Sequence, residues 1–340
     1  MRRRSFGLLA TAVLLGMNGC GVNHPDASIW VSANEVTLAF AGDVHFENRV
    51  DQLLADPTTT LGPAAAQLAV ADLAMVNLET PITDRGTPEP KPYLFRARKA
   101  AVPALVGAGI DVVTLANNHT LDYGRQGLAD TIAAAKQGGL ATVGAGANAD
   151  EAYQPLRVTV RGVRIAILAF SQVDELAQQW AAQPDRAGIA MAFDTERVQA
   201  AMRQARVDSD LVIVLAHWGT EGDSCPNPRQ RTFASLLVTA GADVIVGAHA
   251  HVLQGAGRFG GAYIAYGLGD FLWYSSGIYP PYSERAGILR LVVRGHKVLR
   301  SDFLPTIVSG TGQSVELSGW RRRVALDNFG GLRGCAGLTR

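Results

Sequence analysis

The sequence has no excess of charge of either sign. Its 340 residues carry 31 basic and 30 acidic side chains, which gives a formal net charge of +1. The arginine run at 321–323 is short, and such runs are usually solvated surface. A nucleic-acid-binding protein presents a basic patch or stripe. The composition therefore argues against nucleic acid as a partner.

Cysteine is scarce as well, with only Cys20, Cys225 and Cys335. A chain of this length can bury a core that needs no covalent staples. If Cys20 is consumed by modification, the other two either pair outside the cytoplasm or remain unrelated thiols. Internal repeats, low-complexity tracts and a clear linker are missing from residues 35–310, which favours one main domain with residues 311–340 as a C-terminal tail.

The N-terminus has no apolar run long enough to span a bilayer, which takes ~20 residues. Residues 5–16 are apolar and follow three arginines, as in the central region of an export signal. Cys20 ends a stretch that resembles a lipoprotein cleavage site, and residues 3–6 resemble a twin-arginine signal. We predict a signal peptide over residues 1–19, lipidation of Cys20, a tether over residues 20–34, and a membrane-anchored lipoprotein of the cell envelope. The alternative is ordinary secretion with an incidental cysteine.

The body of the chain reads as strands that alternate with helices, which predicts an α/β fold with buried sheets. The predicted strands cover residues 36–41, 73–77, 111–116, 164–170, 210–216, 243–246, 263–266, 287–293 and 297–305. The predicted helices cover residues 62–71, 100–108, 124–137, 192–206 and 229–240.

Side chains that can bind metal follow five of these strands. They are Asp43, Glu79, Asn118, His217 and His249. In open α/β sheets, ligands bind at the carboxyl ends of the strands. Five of the seven histidines also lie in such strand-end positions, whereas a random distribution would place some in helices and on surfaces.

Two short motifs pair potential ligands at a spacing of two. Asp43 and His45 form one pair, and His249 and His251 form the other. In an extended chain such a pair can point the same way and chelate one ion, although each motif alone also occurs by chance. Carboxylate oxygens together with imidazoles suit Mn, Fe or Zn, and so much nitrogen disfavours calcium.

The order of the motifs resembles the CapA-type capsule synthesis family, which is linked to poly-γ-glutamate. The motifs are GDVHFENR (42–49), NLE (77–79), ANNHTLDYG (116–124), HWGTE (217–221), GAHAHVLQ (247–254) and YGLGDF (266–271). That family is similar in turn to calcineurin-like metallophosphoesterases, which bind two metals. The resemblance implies a layered α/β/β/α sandwich of the metallophosphatase type.

The resemblance also implies roles for individual residues. Asp43, His45 and His251 would bind a first metal, and Asn118, His217 and His249 a second. Glu79 would be the bridging carboxylate. His119 would be the general acid or a charge stabiliser beside the reacting group, and Ala250 and Asp270 depart from the residues usual in the family.

Other residues are candidates for contact with an anionic substrate. Arg49, Lys91 and Arg96 carry cations that suit carboxylate or phosphate, and surface salt bridges or loop anchors are an equally good interpretation. Glu221 could contact substrate or support a metal ligand. Asp122 could cap the helix that follows it or pair with His119.

These observations leave three functions open. The first is a metal-dependent hydrolase for a phosphoester or an amide, with an anionic polymer or a small molecule as substrate. The second is a non-catalytic accessory protein that works with the capsule synthesis machinery. The third is a lipoprotein that binds glycan or peptide. Nothing in the sequence selects phosphate over amide.

Overall fold

The computed structural model describes residues 34–274 and 284–340. The predicted signal peptide, Cys20 and nearly all of the predicted tether lie outside these residues. The strands are β1 (Glu35–Val44), β2 (Leu73–Leu78), β3 (Val112–Thr114), β4 (Ala141–Val143), β5 (Ala145–Gly146), β6 (Leu156–Val160), β7 (Val163–Ser171), β8 (Gly188–Ile189), β9 (Leu211–His217), β10 (Val244–Ala248), β11 (Ala256–Phe259), β12 (Ala262–Ala265), β13 (Asp270–Leu272), β14 (Arg285–Arg294), β15 (Lys297–Val308) and β16 (Ser314–Glu316).

The helices flank these strands in the chain. The α-helices are α1 (Ala66–Ala69), α2 (Ala101–Gly107), α3 (Gly124–Gln137), α4 (Ala149–Tyr153), α5 (Ala177–Trp180), α6 (Thr195–Arg206), α7 (Pro228–Thr239) and α8 (Gly319–Ala336), and 3-10 helices cover Asn48–Ala55 and Pro63–Ala65. Capping fixes where some of them begin. Asn227 and Gln230 form a capping box at the start of α7, with Pro228 at the first helical position.

Two mixed sheets form the framework. The first has the order β16-β15-β14-β1-β2-β3-β4, with β13 paired to β1, and the second has the order β11-β12-β10-β9-β7-β6. Strands β1 to β4 run parallel, as do β7, β9, β10 and β12. The carboxyl ends of these parallel strands carry the predicted ligands.

Three apolar layers show that the sheets stack face to face. Leu38 and Phe40 of β1 and Ile213 of β9 belong to the core between the sheets. Alternate residues such as Ala39 of β1 pack outward with α1, α2 and α3, and Val212 of β9 packs outward with α4, α6 and α7. Strands covered on both faces read as continuous apolar runs, as these do. The α/β/β/α layering predicted from the sequence is confirmed.

The last thirty residues differ from the predicted tail. They form β16 and the 18-residue helix α8, in which Phe329 stacks on Phe303 of β15 at 3.7 Å. The sequence does not predict this helix, because it contains Gly330, Gly331 and Gly334. Each glycine in a helix interior lowers the stability of the helix by ~1 kcal/mol. Packing against β15 and β11 compensates for them.

A disulfide joins Cys225, in the loop after β9, to Cys335 in α8, with an S–S distance of 2.08 Å. It closes a loop of 110 residues. Pairing was one of two interpretations of these cysteines, and the structure supports it.

We expect the Cys225→Ser/Cys335→Ser double variant to be less stable than the wild type. In the chain-entropy model, a loop of this length contributes up to ~4–5 kcal/mol, and removal of native disulfides typically costs about 2–5 kcal/mol. Urea unfolding of both proteins measures the difference. Two free thiols from this pair in the denatured, unreduced wild type would contradict the bridge.

Candidate metal centre

Loops from both sheets meet at one end of the sandwich and bury a group of polar side chains there. Each of these residues is at most 7% exposed, although all of them are polar or charged. They are Asp43, Glu79, Asn118, His119, His217, His249, His251 and Asp270. Buried charges are normally paired or bound to metal, so this group needs partners.

Ligand atoms within the group lie close enough to share an ion. Three overlapping sets have their ligand atoms within 4.8 Å of one another. The sets are Asp43, His251 and Asp270; Asp43, Glu79 and His217; and Glu79, His249 and His251. Because Asp43 and Glu79 each belong to two sets, the arrangement suits two adjacent ions that share carboxylates.

Asn77, at the end of β2, connects the sheets beneath this centre. Its side-chain nitrogen lies 2.8 Å from Asp43 Oδ1, 3.2 Å from Glu79 Oε2 and 3.2 Å from His217 Nδ1. Asn117 donates to Asn77 Oδ1 at 3.0 Å and so fixes the amide orientation. The Nε2 atom of His217 therefore points into the centre, where it lies 2.7 Å from Asn118 Oδ1 and 3.4 Å from Glu79 Oε1.

The segment after β10 has a strained backbone. His249 and His251 have φ angles of 90° and 54°. Non-glycine residues rarely adopt positive φ, and such strain concentrates at functional sites. The conformation brings the His249 backbone N–H to 3.0 Å from Asp43 Oδ2 and places His251 Nδ1 at 2.9 Å from Asp270 Oδ1.

The structure does not place His45 with the other ligands. The register of β1 with β2 shifts before Asp43, and its register with β13 shifts after Asp43. Such a β-bulge breaks the alternation of side chains along the strand that leads to His45. The His45 ring stacks on Phe95 at 4.4 Å and lies edge-on to Trp273, while Tyr274 N donates to its Nε2. In this structure His45 lies outside the sets of grouped ligand atoms, and chelation of one ion by Asp43 and His45 stays a prediction.

Asp270 joins Asp43 and His251 in the set of ligand atoms for which the sequence predicted His45. It begins the three-residue strand β13, which pairs in parallel with β1 directly at Asp43. Its pairing partner could not be inferred from the sequence, because the strand is short and lies far along the chain. The available signal was a carboxylate in a glycine-flanked strand-end motif.

Burial and neighbouring charges shift the pKa values of the groups in the centre. Burial alone would raise the pKa of Asp43, but the hydrogen bond and charge of His251 lower it to about 2. Burial lowers the pKa of His217 to about 3, so its imidazole is neutral and its lone pair can bind metal. Burial and the charge of Asp43 raise the pKa of Glu79 well above its usual range. Glu79 must lose a proton to act as a ligand, so metal binding and deprotonation are coupled.

Two buried atoms of the centre lack hydrogen-bond partners among the described residues. They are Glu79 Oε1 and His249 Nδ1. An unpartnered buried polar atom costs about 1–3 kcal/mol. A divalent cation would satisfy both atoms, so the donor set fits the metal that the sequence predicts.

His119 diverges from its neighbour Asn118, as expected for consecutive residues at a strand end. Its Nδ1 lies 2.7 Å from Asp122 Oδ2, and its Nε2 points toward the centre, 4.0 Å from Glu79 Oε1. Asp122 therefore pairs with His119. It does not cap α3, because that helix begins at Gly124 after Tyr123.

The predicted substrate contacts divide into exposed and buried residues. Arg49, Arg96 and Glu221 are exposed, and the Arg96 guanidinium stacks over the Tyr123 ring at 4.3 Å. Lys91 is different, since its side chain is only 2% exposed. No helix in the described residues is long and apolar enough to cross a membrane.

The comparison with known proteins identifies the family. Residues 37–275 match the family described as "Bacterial capsule synthesis protein PGA_cap", so the chain belongs to this family. It is 39% identical over 179 residues to the capsule biosynthesis protein CapA of Bacillus anthracis, covering 52% of this chain and 43% of that protein. It is 34% identical over 243 residues to a "Probable polyglutamine synthesis accessory protein" of Mycobacterium tuberculosis, covering 67% of this chain and 64% of that protein.

The fold has a counterpart among solved structures. A phosphatase of Mycoplasma pneumoniae superposes with a TM-score of 0.50 and 16% sequence identity, covering 81% of this chain and 95% of that one. This likeness concerns the fold alone. The metallophosphatase fold implied by the motif order is confirmed.

Proposed function

We propose that this chain is an extracytoplasmic, lipid-anchored hydrolase with a two-metal centre, acting in capsule or poly-γ-glutamate synthesis or export. The observation that carries the proposal is the pair of unpartnered buried atoms, Glu79 Oε1 and His249 Nδ1, inside a cluster of ligands. The family supports the capsule context, and the chain covers less than two thirds of the two relatives described above.

The chain offers ligands for two ions. Asp43, His251 and Asp270 would hold one ion. Glu79, Asn118, His217 and His249 would hold the other, and Asp43 and Glu79 are the carboxylates that both ions could share. Divalent Mn, Fe or Zn would supply Lewis-acid activation and a nucleophilic water near neutral pH.

Side chains beside the metal ligands would supply proton transfer and substrate binding. Asp122 accepts a hydrogen bond from His119 Nδ1 and so fixes the tautomer and the direction of the ring. The Nε2 atom of His119 then faces the centre and can donate a proton to a leaving oxygen or nitrogen. Arg49, Arg96 and Glu221 lie outside the buried centre, where they would contact an anionic polymer or small molecule.

A screen of the metal-loaded protein against phosphodiesters and γ-glutamyl peptides tests the hydrolase. We expect turnover of one of these classes, and loss of that turnover when the metal is removed by a chelator. If the metal-loaded protein turns over neither class, the hydrolase proposal fails.

A second candidate is a non-catalytic accessory role with the capsule synthesis machinery. It is favoured by the word "accessory" in the name of the mycobacterial relative. Retention of the ligand cluster argues against it, because a decayed site should have lost ligands. Binding of γ-glutamyl polymer by the metal-loaded protein without turnover would favour this role.

The lipid anchor predicts where the protein is found in the cell. The wild type should fractionate with membranes through Cys20, and the Cys20→Ser variant should appear in the soluble extracytoplasmic fraction. Cell fractionation followed by immunoblotting distinguishes the two. A wild type that is already soluble outside the cytoplasm would refute the anchor but leave export intact.

A further inference from the structure

Lys91 is a buried cation directly behind His119. Its side chain is 2% exposed, and its Nζ lies 3.0 Å from Asp122 Oδ1 and 3.5 Å from His119 Nδ1. It also lies 5.1 Å from the centroid of the Trp180 ring. Lysine is almost never fully buried unless it is paired, so its position here needs an explanation. Burial also removes it from the direct substrate contact considered from the sequence.

The ammonium group joins its own loop to two others around the centre. It pairs with Asp122 in the loop before α3 and with Glu175 Oε2, at 2.9 Å, in the loop after β7. It also donates to the backbone carbonyl of Asn118. Lys91 thus donates a hydrogen bond to the backbone of Asn118, a candidate metal ligand, and forms an ion pair with Asp122, the partner of His119.

The Asp122 carboxylate depends on this cation. Its side chain is fully buried, and a buried carboxylate is costly without a countercharge. One oxygen, Oδ2, accepts from Phe95 N at 2.6 Å and from His119 Nδ1. The other oxygen, Oδ1, faces Lys91. The ion pair with Lys91 therefore helps to orient the Asp122 carboxylate, and the carboxylate in turn orients the His119 ring.

We propose that Lys91 is a positioning residue that holds Asp122 and the Asn118 backbone so that His119 presents Nε2 to the reacting group. This inference rests on the proposed hydrolase function. Lys91 itself does not touch the substrate. Its effect on turnover passes entirely through His119.

Lys91→Met keeps the length of the side chain and removes its charge. Lys99→Met is the matched control, since Lys99 is exposed and lies eight residues further along the chain. We expect Lys91→Met to retain its metal and to lose roughly 10–100-fold in kcat, the range typical for the loss of an outer-shell partner in a metal site. The loss should be larger for alkyl than for p-nitrophenyl phosphodiesters, because a poor leaving group needs the proton from His119. Lys99→Met should behave as the wild type, and Lys91→Arg, which keeps the cation, should recover part of the loss.

A double-mutant cycle separates positioning from general support of the structure. If Lys91 acts through His119, adding Lys91→Met to His119→Ala should cost less than threefold in kcat, because coupled residues are not additive. Equal losses for both leaving groups, or a double variant that loses the full product of the single effects, would overturn the proposal.

A measurement that does not depend on enzymatic turnover tests the positioning role even if the protein proves not to be a hydrolase. In the metal-loaded wild type, the Nδ1 proton of His119 should give a slowly exchanging signal in proton NMR, because Asp122 holds it. Lys91→Met should broaden or remove this signal, and Lys99→Met should not. A signal that is unchanged in Lys91→Met contradicts the positioning role, whereas a lost signal without any hydrolase activity in the wild type contradicts only the proposed function.

Discussion

The His217→Ala variant is expected to lose bound metal and hydrolytic activity together. His217 ends β9 and directs its Nε2 at Asn118 Oδ1 and Glu79 Oε1, so alanine removes a ligand from the middle of the centre. We expect the apparent metal affinity to fall by at least ~100-fold, the upper range for the loss of a mere outer partner. Metal analysis and activity assays on the same preparation measure both effects.

His296→Ala is the matched control for that experiment, since His296 is exposed in the turn between β14 and β15. It should keep both metal and activity. If His217→Ala retains wild-type metal content, His217 is not a ligand and the division of the centre into two ion positions is wrong.

The His119→Ala variant should keep its metal but turn over substrate far more slowly. His119 pairs with Asp122 and only its Nε2 approaches the centre, so it is placed to transfer a proton and not to bind an ion. A positioned acid or base contributes typically 10²–10⁴-fold, and we expect a loss in kcat of about that size.

Stability distinguishes this role from simple packing, because His119 also stacks on Phe95 at 3.9 Å. If the ring only supports the loop, the variant will melt at a lower temperature and show a near-normal rate per folded molecule. Departure of metal from His119→Ala would show that the roles assigned to Asn118 and His119 are wrong.

The sequence was sufficient for the fold and for most of the candidate metal centre. Parallel strands buried on both faces produce long apolar runs, and their carboxyl ends meet by topology. This is why Asp43, Glu79, Asn118, His217 and His249 could be grouped before their distances were known. Helix α3 was predicted at its observed limits, because it is a full-length helix with a regular pattern.

The features that the sequence did not predict all depend on long-range contacts or on local irregularities of the backbone. The bulge around Asp43 redirects His45, and no sequence pattern marks a bulge of this kind. Asp270 joins the centre only because β13 pairs with β1. Lysine is typically a surface residue, and the burial of Lys91 follows from its contacts with two other loops and with the Trp180 ring.

Metal analysis of the purified protein is the most direct test of the two-metal centre. Protein prepared without chelator should contain one to two equivalents of Mn, Fe or Zn, and chelation should lower its melting temperature, because a ligand that binds only the folded state stabilises it. Protein that contains no transition metal, takes up none on titration and melts at the same temperature with and without chelator would contradict the account.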